Sequence, residues 1–409
     1  MFRVRQLFDS SSISDIARVV RDEFAAADLS RRVRPGQKVA VAVGSRGMHN
    51  LQTIVAVTVE CLKGLGLEPF IVPAMGSHGG ATAEGQQDVL HHLGISEATV
   101  AAPIKSSMDV VPLGTLDNGA EVFVSRDIFE TDHLVVINRV KPHTAFRSDV
   151  ESGLCKMLAV GCGKHQGALN MHKFGLGESI KPAAELILSR VPVLCGLAIV
   201  ENSLDLPCTV RVATPENFIA IDSQLLEKAR GLLPRIPVDQ LDILIVDEMG
   251  KNISGAGIDP NVIGFWRREG GPRIPDYRTL ILLDLTDQSK GNALGLGMVD
   301  LTSKRVMDKV DLKVSYTNAL TTGIWRAVRI PITLETDRAV LDAALVHVMD
   351  PSRVRMARIM NSLSLEYLWV SREVAKELGS NGGVEVDDTP IPIAFDSNGR
   401  MLPFDLPEK

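Results

Sequence analysis

An α/β fold, with two domains built on largely parallel sheets and a cofactor and substrate cleft between them, is what this sequence predicts. Three observations carry the prediction. The chain has 409 residues, more than one hydrophobic core usually serves. Short apolar runs alternate with stretches of helical periodicity along most of its length. The run 192–201 is continuously apolar, as a strand covered on both faces must be.

The elements follow in order. Residues 14–27 read as a helix, and Pro35-Gly36 turns the chain into a strand over Lys38–Val43. Asn50 is placed to cap a helix running to about Lys63. Glu68–Pro73 reads as the next strand, and Thr82 starts a helix with Glu84 in its favourable first turn. Strands over Glu121–Ser125, 134–138 and 192–201 complete the first half. Pro234 and Pro237 bracket a linker at 233–239, which separates a cofactor-binding, catalytic domain (1–235) from a substrate-side α/β domain (236–386). Strands at 241–246 and 279–285, each followed by a glycine-bearing loop, restart the pattern. Helices are predicted at 336–347 and 370–378. The proline-bearing tail, 387–409, crosses a surface or returns to the first domain.

Composition narrows the class. The formal net charge is -6, which argues against nucleic acid or an anionic membrane as partner while leaving room for a local basic pocket. The first twenty residues lack a signal-peptide core, and no window has the apolar length of a spanning helix. The five cysteines are odd in number and sparse, so a reducing cytoplasm is the simpler setting. Cys155 and Cys162 raise thiolate chemistry, with small packing cysteines as the plainer alternative.

Chemistry concentrates in 141–175, KPHTAFRSDVESGLCKMLAVGCGKHQGALNMHKFG, which holds His143, Lys156, His165 and His172 among many glycines; the whole chain has nine histidines. Two further polar loops follow predicted strands, Gly44-Ser45-Arg46-Gly47-Met48-His49 and Gly76-Ser77-His78-Gly79-Gly80. Ligands in open α/β sheets bind outside the carboxyl ends of strands, so the three loops suggest one crevice. Neither GxGxxG nor GxxxxGK[ST] occurs, although glycine and serine amides can nest a phosphate. His78 and His143 suit proton transfer near neutral pH, and each can equally be a hydrogen-bonded structural histidine. Arg46 can clamp a carboxylate or phosphate or lie on the surface. His49, His91 and His92 have weaker cases. Lys156 sits among apolar residues, where burial would lower its pKa and bare a nucleophilic amine. A zinc site from His143, His165 and His172 is compatible with composition but lacks HExxH spacing.

The ordered set of Ser45-Arg46, Gly76-Ser77-His78-Gly79-Gly80, His143, Lys156 and His172, the last two sixteen apart, resembles the lactate racemase family, whose relatives use a nickel-pincer nucleotide. The resemblance covers most of the first domain and extends more faintly through the second. It implies that Lys156 tethers the nicotinate-derived cofactor through a thioamide and that His172 is the protein ligand to nickel. It also implies that His78 and His143 alternate as proton acceptor and donor on opposite sides of the substrate, and that Arg46 holds the substrate carboxylate. Ser45, Ser152 and Gly153 are positioned to support the cofactor. The implied activity is that of a racemase or epimerase inverting the C2 stereocentre of a 2-hydroxy acid by reversible hydride transfer to the cofactor. Cofactor biosynthetic proteins are the implied partners. His165 has no assigned role.

The sequence departs from that family's pattern at Val43, where an acidic residue is expected, and in a longer stretch between His143 and Lys156. In the second half, DEMGKNISGAGIDPNVIG offers Lys251 for a substrate anion, with Asn252, Asp259 and Asn261 for hydroxyls, and Trp325 as an apolar wall. These residues favour a larger hydroxy acid or sugar acid over lactate. Two other classes compete: a conventional metal-dependent hydrolase or lyase using His78, His143 and His172, and a relative that binds cofactor or ligand without turnover.

Overall fold

The computed structural model describes residues 1–380 and 382–404, apart from the side chain at 321. By its internal contacts the chain divides into two compact units, Asp9–Leu233 and a second made of Met1–Phe8 with Pro234–Lys409. Strand β1 (Phe2–Gln6) opens the chain and belongs to the second unit.

The unit Asp9–Leu233 contains β2 (Lys38–Val43), β3 (Glu68–Pro73), β4 (Val110–Thr115), β5 (Glu121–Ser125), β6 (His133–Arg139), β7 (Val193–Glu201) and β8 (Pro207–Ala213). Five of these form a sheet in the order β3-β2-β6-β7-β8, and β4-β5 stand apart as an antiparallel pair. Strands β3, β2, β6 and β7 are mutually parallel, whereas β8 runs against β7. Alternation along β2 shows why the sheet is covered twice. Val39, Val41 and Val43 join one apolar cluster with Ile54, Val55 and Leu62, while Ala40 and Ala42 join another with Leu154, Leu158 and Cys162. Valines meet ordinary helices on one face. Alanines on the other admit the close approach of 154–162.

Local signals account for most boundaries. Helix Ile16–Ala26 begins at Asp15, whose carboxylate accepts the Arg18 amide at 2.9 Å. Helix Ala83–His92 begins at Thr82, whose hydroxyl accepts the Gly85 amide at 3.0 Å. Asn50 precedes helix Leu51–Gly64 as expected but adopts a left-handed conformation and makes no side-chain cap. The glycine-bearing stretch 164–177 supports helix Lys164–Lys173 and then the start of helix Leu176–Arg190.

The second unit carries an eight-stranded sheet. Its strands after β1 are β9 (Gln240–Val246), β10 (Asp276–Leu282), β11 (Leu301–Ser303), β12 (Ile332–Leu334), β13 (Met356–Ile359), β14 (Tyr367–Val370) and β15 (Val384–Val386). The order is β12-β11-β10-β9-β13-β14-β1-β15, parallel from β12 to β13 and antiparallel beyond. The first eight residues, which the sequence reading counted with the first domain, thus supply a strand here, with Val4 buried in this unit's core. Residues 387–404 also run along this unit. Ile391 and Met1 exchange backbone hydrogen bonds, and the Met401 amide donates to Asp337. Residues 405–409 of the expected tail lie outside the described residues. Among the described residues no helix is long and apolar enough to cross a membrane.

Candidate functional site

In the Asp9–Leu233 unit the connections leave β2 towards β3 on one side, while β6 leads to β7 on the other. The junction of β2 and β6 is therefore a topological switch point, where a crevice opens outside the carboxyl ends of the strands. The loop bearing Ser45 and Arg46 follows β2, the loop bearing His78 follows β3, and the loop bearing His143 follows β6. All three leave the same edge of the sheet, because the strands are parallel.

The segment 153–163 is threaded against these loops. Gly153 lies next to the Asp222 carboxylate so closely that a Cβ there would sit 1.9 Å from Oδ1. Asp222 accepts the amides of Leu154 and Cys155, each at 2.9 Å, and so fixes the start of the short helix Leu154–Lys156. Gly153 also offers its carbonyl to the Asn138 side chain at 2.7 Å, and Ser152 exchanges backbone hydrogen bonds with Lys141. A π-helical turn, Met157–Gly161, follows; such turns are rare and frequent at functional sites. A Cβ on Gly161 would come within 2.6 Å of the Ala74 carbonyl, and Gly44 leaves room for the Met157 methyl. Lys156 consequently rises between the ends of β2 and β6.

Charge is arranged unusually here. Burial first, then the positive charges of Lys141 and Arg46, lowers the Lys156 amine to about 7. Burial first, then Lys156, lowers His172 to about 4. Arg46 is lowered by desolvation and next by Arg139. Arg46 and His172 nonetheless keep solvent-reachable surface, as groups on the wall of an open recess do. The structure thus brings Arg46, Lys141, Lys156 and His172 within reach of one another's charge. Lys141 was not a sequence candidate. Arg46 and Lys141 make the positive part of this surface, suited to a carboxylate or phosphate, and their charge is part of what lowers Lys156.

The His143 loop is organised by Glu151, a buried carboxylate. Glu151 accepts the His143 amide at 2.5 Å and the Ser148 amide at 3.2 Å, and pairs with Arg230 at 2.6 Å. The His143 ring lies 4.4 Å from Phe146, centroid to centroid, and its Nδ1 accepts the Ala145 amide at 3.1 Å. A ring nitrogen that accepts leaves the proton of the neutral imidazole on Nε2.

The His78 loop has a different support. Gln86, fully buried, donates to the carbonyls of Gly76 at 2.8 Å and His78 at 3.3 Å. Its own carbonyl accepts from Lys164 at 3.2 Å, and Lys164 also donates to the Pro73 carbonyl at 2.5 Å. Burial lowers Lys164 to about 8, an effect that Cys162 and Asp127 partly offset. The ring of His78 itself lies at the exposed end of this loop.

Sequence reading missed Gln86, Lys164 and Asp222, and gave Glu151 no role. Asp222 had a readable signal: on helix Phe218–Leu232 it falls on the apolar stripe with Phe218, Leu225 and Leu226. Lys164 stood between glycines with no pattern to mark it. Two alternatives that the sequence left open narrow in the structure. Among the described residues no three His, Cys, Asp or Glu side chains converge as a metal-ligand set, so His143, His165 and His172 do not form the zinc site that composition allowed. His165 Nδ1 is buried without a hydrogen-bond partner among the described residues. Cys155 and Cys162 are core residues; burial pushes the Cys162 thiol up to about 12 and Cys155 higher still. Val43 is fully buried and faces the helix layer.

In the second unit, Lys251 donates its amine to the Gly255 carbonyl at 2.5 Å, within its own loop. Asn252 accepts from Thr286 at 2.6 Å, and Asp259 caps Asn261 at 2.9 Å. Trp325 is 70% exposed at the start of a short turn.

Residues 8–178 match the lactate racemase N-terminal domain. That span contains Arg46, His78, His143, Lys156 and His172. A comparison of the sequence with curated proteins gave no match. Among solved structures, the lactate racemase apoprotein from Thermoanaerobacterium thermosaccharolyticum resembles the chain at 14% identity and a TM-score of 0.51. The likeness covers 89% of this chain and 99% of that one; at that identity it is a likeness of fold.

Proposed function

We propose, starting from a chain that belongs to the lactate racemase family through the N-terminal domain over residues 8–178, that this protein is a racemase- or epimerase-type isomerase acting on a 2-hydroxy acid. In this reading Lys156 and His172 hold a nickel-pincer nucleotide, and the substrate is a hydroxy acid or sugar acid larger than lactate. The observation that carries it is the placement of Lys156, after the short helix held by Asp222, within charge range of Arg46, Lys141 and His172 beside the loops that follow β2 and β6, where burial and that charge lower both Lys156 and His172.

The donor set fits the group. A tethering lysine must be a neutral amine to form a covalent bond, and with its amine lowered to about 7, Lys156 holds a substantial neutral fraction at neutral pH. A histidine ligand must be unprotonated, and His172 is so across the physiological range. Only one protein ligand is required when the organic part of the group brings the remaining donors, which accords with the lack of a three-residue ligand set among the described residues. A conventional metal-dependent hydrolase would need such a set.

When bound, the group supplies a hydride acceptor, which matters because the C2 proton of a 2-hydroxy acid is too weakly acidic for a histidine to remove unaided. The protein's residues do the rest. Arg46 binds the substrate carboxylate, and its partial desolvation strengthens that ion pair. His143 presents Nε2–H to a substrate oxygen, while Ala145 occupies Nδ1. His143 becomes a proton acceptor at Nε2 only after its ring proton moves to Nδ1 and the Ala145 contact breaks. His78, on a separately braced loop, is the acceptor in the opposite direction. Ser45, Ser152 and Gly153 shape the floor around Lys156.

The test is stereochemical. Protein produced together with the cofactor biosynthetic proteins is incubated with single enantiomers of a panel of 2-hydroxy acids and sugar acids, and the configuration at C2 is followed by chiral chromatography. Inversion of at least one acid, lost in Arg46→Ala, is expected. A cofactor-loaded protein that inverts none of them, yet hydrolyses or dehydrates substrates, would overturn the assignment.

A further inference from the structure

The second unit holds a small recess of about 70 Å³ bordered by Arg267, Arg268, Arg326, Arg329, Gly295 and Gly297. Its walls are two short turns locked together. The Gly295 amide donates to the Ala327 carbonyl at 2.8 Å, and a Cβ on Gly297 would fall 1.8 Å from the Arg326 carbonyl. Gly297 therefore lets the Trp325–Val328 turn lie directly on Leu296–Met298, while a Cβ on Gly295 would meet the Ala256 carbonyl at 2.0 Å.

The cations there outnumber what neutralises them. Arg267 pairs with Asp300 at 2.7 Å and stacks over Trp266 and Tyr277, at 4.6 and 4.8 Å from their ring centroids. Arg326 holds Glu269 at 2.6 Å. Arg268 is only 7% exposed, and its Nε has no hydrogen-bond partner among the described residues. Its nearest acid is the same Glu269, 3.5 Å away and already engaged by Arg326. Asp259 also acts on Arg268, but its carboxylate is turned to Asn261. Arg329 has no acid at ion-pair distance among the described residues, and its side chain is exposed. A buried guanidinium with an unused donor, beside a second uncompensated arginine, is costly unless an anion completes it.

We infer that this recess is a binding site for a small oxyanion, the phosphate or carboxylate group of a small metabolite, held by Arg268 and Arg329 with Arg326 at its rim. The size suits one such group, and the forked donors of arginine match both chemistries. None of the residues around Lys156 borders this recess, so the two assignments stand or fall separately.

Isothermal titration of the full-length protein with inorganic phosphate and, separately, with malonate tests the inference, with chloride at matched ionic strength as reference. Saturable binding of one anion per chain is expected, phosphate alone marking a phosphoryl ligand and malonate alone a carboxylate ligand. Arg329→Gln, which changes an exposed side chain, should weaken it at least tenfold, and Arg268→Gln should abolish it. If Arg268→Gln does not fold, Arg329→Gln decides. No saturable binding by the wild type, or wild-type affinity in folded Arg329→Gln, would overturn the site.

Discussion

The loops after β6 and the loop after β9 have similar compositions and opposite electrostatics. Both are rich in glycine and carry a lysine and several polar side chains. In 141–175, the polar groups of the candidate residues are crowded by like charge and kept from full hydration, so Lys156 falls to about 7 and His172 to about 4. In 250–261, the same kinds of side chain satisfy one another: Lys251 closes on Gly255, Thr286 on Asn252, and Asp259 on Asn261. Glycine content therefore marks where backbone can bend closely. Uncompensated charge marks where chemistry is prepared.

Mutations at the two regions should separate them, and the largest effect belongs to Lys156. Lys156→Ala should remove covalent retention of the cofactor and lower inversion by ~10³-fold or more, since a positioned reactant becomes a diffusing one. Intact-protein mass reads the first effect, and a chiral assay with added cofactor reads the second. His78→Ala and His143→Ala should each keep the cofactor, as read by mass, and lose roughly 10²–10⁴-fold in turnover, the ordinary range for a lost acid or base. Full turnover in both would end their paired role.

Glu151→Gln sharpens the contrast next, because it acts through position. Weakening the charged acceptor of the His143 and Ser148 amides should cost about 1–3 kcal/mol in denaturant unfolding, since Arg230 keeps Glu227 and the Ser148 carbonyl as partners. It should also lower kcat more than it raises KM, since the His143 loop loses its anchor. Equal stability of the variant and wild type would show that Glu151 does not organise that loop.

The pH dependence follows from the same charges. A lysine with a folded pKa of about 7 against an unfolded value near 10.4 binds fewer protons folded than unfolded between those limits. Folding stability of the cofactor-free protein should therefore rise with pH across that window, with Lys164 adding to the rise above about 8. His172 should add a similar rise between about 4 and an unfolded value near 6.5. Acylation of Lys156 by a small amine-reactive reagent should be half-maximal near pH 7. A midpoint near 10 would remove the electrostatic basis of the site. The smallest effect is expected at Lys251→Met: a loss of about 1 kcal/mol from one hydrogen bond and a change in KM below about tenfold.

Much of this was legible in the chain because local rules applied. Strands Lys38–Val43 and Glu68–Pro73 end just before their glycine-bearing turns, and Glu121–Ser125 ends where the helical segment Arg126–Phe129 begins. Loops carrying Arg46, His78 and His143 were readable from strand ends followed by glycine and polar residues. What was not legible depends on distant pairing. Strand β1 joins a sheet whose partners lie more than 360 positions away, and no local pattern encodes that. Helix Lys164–Lys173 forms despite Gly167 and the glycines that flank it because its buried face, with Ala168 and Met171, is covered. Gln86 and Lys164 matter through a hydrogen-bonded chain assembled only by folding. Trp325 reads as a pocket wall by residue type, yet in the second unit it is largely exposed.

The central claim is that Lys156 is a cofactor-bearing amine and His172 its metal-binding neighbour. Intact-protein mass spectrometry with metal analysis, on protein produced with the cofactor biosynthetic proteins, tests it most directly. The account predicts a sulfur-rich, nickel-containing adduct that maps to Lys156 after proteolysis, disappears as a covalent species in Lys156→Ala, and loses nickel in His172→Ala. A protein that carries no such adduct, covalent or not, yet turns over with zinc, would contradict it.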